Sequence, residues 1–335
     1  MKNFGAAWLT TNRNCNNNCS WCYAKNTLKN NCMMNIDKAK LAVDELQRRN
    51  VKKIVLIGGE PTIYPYFIEL ISYIHKKGIK VSVASNGRMF KDIEFAQKVK
   101  EAGVFHVDMS IKATNEEMYI KNTQVDGYQQ MIEGYHNMKK VGINVSASYL
   151  ITNDDKNEFN KLIEFLQKEN INSILFEFVK PCLTINDKEK VIGINKMGKF
   201  VTYIYNRMKE TSIQYGIELS LPICMLDMDV FNNLVAEKRV SNSCHVTKGT
   251  GINFDENFRV IPCNHFAQFP FSEIPINFDN PNEIDELMEK DIVKKYREAA
   301  CSYPTLKCQT CDKWSICGGG CFARWFSEDP NYYIK

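Results

Sequence analysis

Three stretches of the chain repeat one pattern: "HKKGIKVSVASNG" (75–87), "KEAGVFHVDMSIK" (100–112) and "KKVGINVSASYLIT" (139–152). Each runs from a charged helix end through a glycine into a β-rich run. Gly78, Gly103 and Gly142 stand where a helix closes on a left-handed residue, a conformation glycine adopts without strain. Asn50 in "RRNVKKIVLIGG" and Asn170 in "KENINSILFEFVK" suit the same position. The segments ahead of these closures carry helical periodicity. Phe67, Leu70, Ile71 and Ile74 form one apolar stripe, with Pro65 expected in its first turn. Tyr128, Met131, Ile132, Tyr135 and Met138 form another, behind an expected N-cap at Asp126. The intervening strands read as nearly continuous apolar runs, the pattern of parallel strands covered on both faces. Counting residues 6–10 as the first, six strands alternate with helices before about residue 180. That alternation predicts a parallel α/β domain, either an open sheet or a partial (β/α) barrel.

Further on the pattern changes. A longer helix is expected over 196–215, closing at Gly216, after which the alternation is lost. This places a domain boundary near residue 220, dividing the chain into 1–220 and 221–335. A hairpin is expected in the second part, with strand-like runs at 252–254 and 258–261 about the turn "DEN". The mixed-charge run "NEIDELMEKDIVKKYREAA" reads as a helix with a solvated face.

A length of 335 residues accommodates a barrel and a smaller appended domain. The hydrophobic share of 44% and charged share of 24% are those of a globular protein. A net charge of +4 argues against a dedicated nucleic-acid surface. There is neither a membrane-length apolar run nor a signal-peptide core, so the expected location is the cytoplasm. That changes the meaning of the 13 cysteines, because a reducing compartment favours metal binding or catalysis over disulfides. Three fall in "CNNNCSWC" (15–22) and four in "CQTCDKWSICGGGC" (308–321). Isolated ones, such as Cys32 and Cys182, read as small buried hydrophobes.

The motifs converge on one edge of the expected sheet. Cys15, Cys19 and Cys22 follow the first strand, and Gly58-Gly59-Glu60-Pro61 the second. Ser85-Asn86-Gly87 follows the third, and Ser110-Ile111-Lys112 closes the fourth. All lie at carboxyl ends of parallel strands, where α/β folds build their sites. Three thiolates can hold three irons of a four-iron cluster and leave the fourth iron open to a ligand. Zinc competes for the same trio, although structural zinc favours paired Cys-x2-Cys arms. Trp21 either offers a face to a ligand's base or simply packs.

The C-x3-C-x2-C motif after the first strand, with an aromatic before its last cysteine and GGEP after the second strand, resembles the radical S-adenosylmethionine superfamily. The resemblance spans about residues 5–180. It implies a partial (β/α)6 barrel of the TIM type, with a 4Fe-4S cluster on Cys15, Cys19 and Cys22. It also implies S-adenosyl-L-methionine held by Trp21, Gly58, Gly59, Glu60, Pro61, Ser85, Asn86 and Ser110. Lys112 either approaches the cofactor's carboxylate, as in glycyl-radical activating enzymes, or is a solvated strand-end lysine. The implied activity is that of an oxidoreductase. An external donor of ferredoxin or flavodoxin type reduces the cluster, and S-adenosylmethionine is cleaved to a 5′-deoxyadenosyl radical that takes a substrate hydrogen.

The C-terminal cysteines resemble the SPASM/Twitch extension of such enzymes, which carries one or two auxiliary iron–sulfur clusters. The residues that match are Cys308, Cys311, Cys317 and Cys321, together with Cys244 and Cys263 flanking the hairpin. A zinc ribbon is the competing reading of Cys308-x2-Cys311. With no cysteine after Cys321, a second cluster requires Cys301, Cys224, a non-cysteine ligand or an open iron. Asn264 stands where sulfatase-maturing relatives carry an aspartate base, which argues against that activity.

Two substrate classes follow: a ribosomally made peptide that is crosslinked, epimerised or oxidised, and a small molecule such as a sugar, aminocyclitol or amino acid. Peptide modification is preferred, although the early position of Cys15 leaves no room for an N-terminal leader-binding domain. A non-catalytic iron–sulfur or zinc module is the remaining reading. Glu177, Lys180, His245 and His265 are candidate proton-handling residues. His265 is equally a core histidine, and Glu177 is expected to point inward.

Overall fold

Strands alternate with helices from the first residues onward in the computed structural model, which describes residues 1–28, 32–180, 191–241, 244–326 and 328–334. The first part runs β1 (Ala6–Thr10), α1 (Ile36–Arg48), β2 (Lys53–Ile57), α2 (Phe67–Lys76), β3 (Lys80–Ser85), α3 (Ile93–Glu101) and β4 (His106–Ile111). Then come α4 (Glu116–Thr123), α5 (Tyr128–Lys140), β5 (Val145–Ile151), α6 (Lys156–Lys168) and β6 (Ser173–Phe178). The chain continues through α7 (Ile194–Met208), β7 (Gln214–Glu218), α8 (Met228–Ala236), β8 (Val240–Ser241) and α9 (His245–Lys248). It ends with β9 (Gly251–Phe254), β10 (Val260–Ile261), α10 (Glu283–Met288), α11 (Asp291–Cys301), α12 (Trp314–Cys317) and α13 (Pro330–Tyr333).

The six expected strands and the α/β class are both present. Gly78, Gly103 and Gly142 close their helices at positive φ, as do Asn50 and Asn170. Short polar side chains start other helices: Asp92 caps α3 and Asp155 caps α6. Other expectations are corrected. Pro65 lies ahead of α2, whose N-cap is Tyr66. The cap of α5 is Gly127 rather than Asp126, with no side-chain bond. The long helix over 196–215 stops at Met208, and Gly216 sits inside β7. A Cβ at Gly216 would lie 3.3 Å from Leu175, so the glycine admits its neighbour on β6 rather than ending a helix. β3 buries the consecutive residues Val81, Ser82 and Val83, as expected of a strand covered on both faces, but β4 does not. In β4, Val107, Met109 and Ile111 are buried while His106, Asp108 and Ser110 are half-exposed, so one face is sealed and the other stays open.

The described chain divides into two compact units that do not follow sequence order. The first comprises Met1–Ser110, Asn115–Val145 and His245–Ala299, and its strands lie in the order β10-β9-β1-β2-β3-β4. The expected hairpin forms as β9 and β10, and β9 pairs in parallel with β1, Ala6 opposite Gly251. The "DEN" turn is more than a loop. Its Glu256 is buried and receives Arg13 Nε at 2.6 Å and Cys32 Sγ at 3.4 Å, so Cys32 is not an inert hydrophobe. Cys182 lies outside the described residues. The second unit comprises Ile111–Thr114, Ser146–Cys244 and Ala300–Lys335, with β5, β6, β7 and β8 paired in parallel in that order. Its core gathers Phe159, Phe176 and Phe200, with ring centroids 5.3 and 5.7 Å from Phe159.

The mixed-charge run is corrected as well: it forms two helices, α10 and α11, with Ile284, Leu287, Val293 and Ala300 buried. Asp285 is one of its working charges. Arg49, fully buried at the end of α1, donates to Glu45 at 2.6 Å and to both oxygens of Asp285 at 2.9 and 3.0 Å. The Arg49 hydrogen bonds hold the Asp285 carboxyl below its ordinary value, so its contribution is present above that value and lost as pH falls through the lowered one. Asp285→Asn should cost about 2 kcal/mol, less than the ~3–5 of a fully buried pair because the carboxylate still touches water. Urea unfolding followed by circular dichroism should show that difference at neutral pH and its narrowing in acid.

Candidate functional site

The loop after β1 carries Cys15, Cys19 and Cys22, all half-buried, and backbone bonds shape it. Asn17 N donates to Cys15 Sγ at 3.4 Å, and Cys22 N to Cys19 O at 3.2 Å. The asparagines between the cysteines fasten the loop to its surroundings. Asn16 Oδ1 accepts from Asn86 Nδ2 at 2.6 Å, and Asn17 Nδ2 donates to the Tyr119 hydroxyl at 3.2 Å. Arg88 ties the loop from below, donating to Asn16 O and, at 2.9 Å, to Asn17 Oδ1. Its Nε reaches Gln130 Oε1 at 2.9 Å. Trp21 is buried within this loop, at 7% exposure, so most of its ring is already packed.

The GGEP segment meets the loop backbone to backbone. Gly59 N donates to Asn12 O at 2.9 Å, and Glu60 N to Asn14 O at 2.7 Å. Such contact requires glycine: a Cβ at Gly59 would stand 2.1 Å from Asn14 O, and one at Gly58 2.7 Å from Asn12 O. Pro61 opens the short turn that follows. Glu60 is buried and accepts from Thr62 Oγ1 (2.6 Å), Ser85 Oγ (2.7 Å), Asn86 N (2.8 Å) and Thr62 N (3.2 Å). The carboxylate thus binds the end of β2 to that of β3, and its own donors are protein groups.

Burial pushes the Glu60 carboxyl above the usual carboxylate range, against the pull of those donors. Burial likewise pushes the Cys15 thiol up to about 12, and the charges of Glu60, Cys19 and Cys22 add to it. A raised Cys15 thiol beside the buried Glu60 carboxylate is stabilised as a thiolate by positive charge, the condition a metal cluster meets. Among the described residues, Asn12 Oδ1 and Asn14 Oδ1 are buried with no hydrogen-bond partner, leaving two acceptors for a ligand's donors. The thiol trio and these acceptors fit an iron–sulfur cluster with an ammonium-bearing ligand. No group of three such side chains among the described residues stands in single-ion geometry. A cluster asks less convergence of its thiolates, because each binds its own iron.

Cys15, Cys19, Cys22, Gly58, Gly59, Glu60, Pro61, Ser85 and Asn86 are brought together in the first unit, and Ser110 lies half-buried at the end of that unit's part of β4. Cys263, Asn264 and His265 belong to it too. Tyr23, next to Cys22, packs on His265 with centroids 4.9 Å apart, and Asn264 Oδ1 is buried without a partner among the described residues. Lys112 belongs to the second unit, as do Cys224, Cys244, Cys301, Cys308, Cys311, Cys317 and Cys321. In that unit Lys180 pairs with Glu218, and Glu177 adds to the negative field on Lys180. The supporting residues Asn12, Asn14, Asn16, Asn17, Arg13 and Arg88 were not expected. The one sequence signal for them is the density of asparagine in "NRNCNNNC".

A family model described as the Radical SAM superfamily matches residues 9–166. A probable GTP 3′,8-cyclase of Saccharolobus islandicus is 27% identical over 168 residues, covering 50% of this chain and 54% of the relative. The chain thus spans about half the length of the curated relatives it matches. Among solved structures, Streptococcus suis SuiB bound to precursor peptide SuiA superposes with a TM-score of 0.76 at 15% identity, over 100% of this chain and 76% of that one. Native anSMEcpe with bound AdoMet gives 0.73 at 16%, over 94% and 88%. The likeness to both is one of fold, the α/β partial barrel.

Gly59→Ala should force Asn14 and the cysteine loop aside at a cost of about 2–3 kcal/mol, as overpacking against rigid backbone does. Scanning calorimetry should record a fall of several degrees in melting temperature with the far-ultraviolet dichroism unchanged.

Proposed function

We propose that this chain, whose residues 9–166 match the Radical SAM superfamily model, is an oxidoreductase that modifies a ribosomally made peptide by radical chemistry. Cys15, Cys19 and Cys22 hold a 4Fe-4S cluster in this reading. Gly58, Gly59, Glu60, Pro61, Ser85, Asn86 and Ser110 surround S-adenosyl-L-methionine, with Trp21 beside it. Bound together, the two supply an electron and a carbon radical strong enough to take hydrogen from an unactivated C–H bond.

The observation that carries the reading is the buried Glu60 carboxylate, held by Thr62, Ser85 and Asn86. It sets the amides of Gly59 and Glu60 against the carbonyls of Asn12 and Asn14, whose buried Oδ1 atoms are left as acceptors for an ammonium group. Its role is to orient the segment, since its oxygens are already taken. The half-exposed face of β4, with Asp108 and Ser110, is where a substrate reaches the site. Residues 221–335 are assigned as a SPASM/Twitch-type extension with auxiliary clusters, fed by a ferredoxin or flavodoxin. A peptide substrate is supported by likeness over the whole chain to SuiB bound to SuiA, and over 94% of it to anSMEcpe bound to the Cp18Cys peptide. The small-molecule reading draws on the cyclase relative, whose likeness is confined to half of the chain.

Anaerobically reconstituted protein should cleave S-adenosylmethionine under a strong reductant, and a Cys15/Cys19/Cys22→Ala variant should fall to background. Equal turnover by both overturns the assignment. Deoxyadenosine formation should then rise with the protease-sensitive macromolecular fraction of source-cell extract. Stimulation by the low-molecular-weight filtrate alone would instead establish a small-molecule substrate.

A further inference from the structure

The segment just before α8 is positioned by the C-terminal cysteine run. Ser220, Leu221 and Ile223 are buried, and a single short turn, Ile223–Met225, presents Cys224. Cys321 N donates to Ser220 O at 3.3 Å, and Ile223 N donates to Cys317 Sγ at 3.3 Å. The glycine before Cys321 is needed for this approach. Gly320 has φ +79, and a Cβ there would stand 2.8 Å from the carbonyl carbon of Leu221. On the other side α7 closes in just as tightly, since a Cβ at Gly198 would lie 1.9 Å from Met225 O. The turn is therefore gripped between α7 and the "GGGC" loop, with its cysteine next to a thiol that already accepts from its neighbour.

Cys224 directly follows Ile223, so its turn lies against Cys317 Sγ, and in the same cysteine run Cys311 N donates to Cys308 O at 3.3 Å. Cys224 and Cys301, the two cysteines considered from the sequence, are both exposed, but Cys301 sits on the last residue of α11.

We propose that Cys224 is the fourth thiolate of an auxiliary iron–sulfur cluster held by Cys308, Cys311 and Cys317. This rests on the reading of the C-terminal cysteines as cluster ligands. A ligand from the segment ahead of α8 closes the site from a part of the chain remote from the other three. It completes the four-cysteine donor set that a four-iron cluster takes. Because the Ile223 amide donates to Cys317 Sγ, the same turn also supplies a hydrogen bond to a ligand sulfur, one of the means by which a protein sets cluster potential.

The test uses the full chain in a Cys15/Cys19/Cys22→Ala background, so that only auxiliary iron remains. After anaerobic reconstitution, iron and acid-labile sulfide are counted and the reduced protein is examined by electron paramagnetic resonance. Adding Cys224→Ala should remove between one and about four irons per chain and alter the spectrum, whereas Cys301→Ala should leave both unchanged. In the protein with all its native cysteines, Cys224 should be alkylated by maleimide at least about tenfold more slowly with iron and sulfide loaded than without. That readout needs no variant to fold. Unchanged iron and spectrum on removing Cys224, or equal alkylation in both states, overturns this proposal alone. A background protein that binds no iron and sulfide, or binds zinc in their place, overturns the auxiliary-cluster reading and this proposal with it.

Discussion

One buried carboxylate holds the first unit's strand ends together. Glu60 accepts four donors from Thr62, Ser85 and Asn86 while its own amide donates to Asn14. Three chain segments, after β1, β2 and β3, are thereby locked at hydrogen-bond distance. A buried carboxylate with so many donors is stable as an ion only while all of them stay in place, so the arrangement is cooperative. The glycines beside it follow from the same constraint. With the carboxylate drawing the GGEP segment inward, its backbone runs against that of Asn12 and Asn14, and no Cβ fits between them.

The asparagine-rich loop meets a second demand. A loop with three cysteines in eight residues has few apolar side chains by which to pack. Asn16, Asn17 and Asn18 instead anchor it by side-chain hydrogen bonds to Asn86, Tyr119 and Gln124, and Arg88 crosses two of them. Rigidity comes from polar ties rather than burial. Such ties leave the cysteines half-exposed.

Much of this was legible in the sequence, for identifiable reasons. The alternation, the glycine and asparagine closures and the hairpin are local properties, and each forms where the pattern placed it. Motifs at strand ends were legible because topology alone puts them on one edge. The polar ties around the cysteine loop were not, since an asparagine's partner is set by tertiary geometry. The helix over 196–215 misled because "IQYGIEL" carries apolar residues at a spacing open to either helix or strand, and packing beside β6 decided for strand. The run containing Asp285 misled in the opposite way. Its charge suggested solvent, but a buried arginine on α1 was waiting for the carboxylate.

The placement of β9 has a consequence for how the chain is made. Ala6 pairs with Gly251, so one side of β1 meets its neighbour only when the hairpin has been synthesised. At ordinary elongation rates that interval is on the order of tens of seconds. Throughout it, β1 presents a bare row of amides and carbonyls along an apolar strand, the kind of edge that recruits other chains. A chain ending at residue 220 would keep that edge permanently. The first unit is in this sense stitched shut by one of its last segments, and the cysteine loop that follows β1 acquires its Glu256 support for Arg13 at the same late moment.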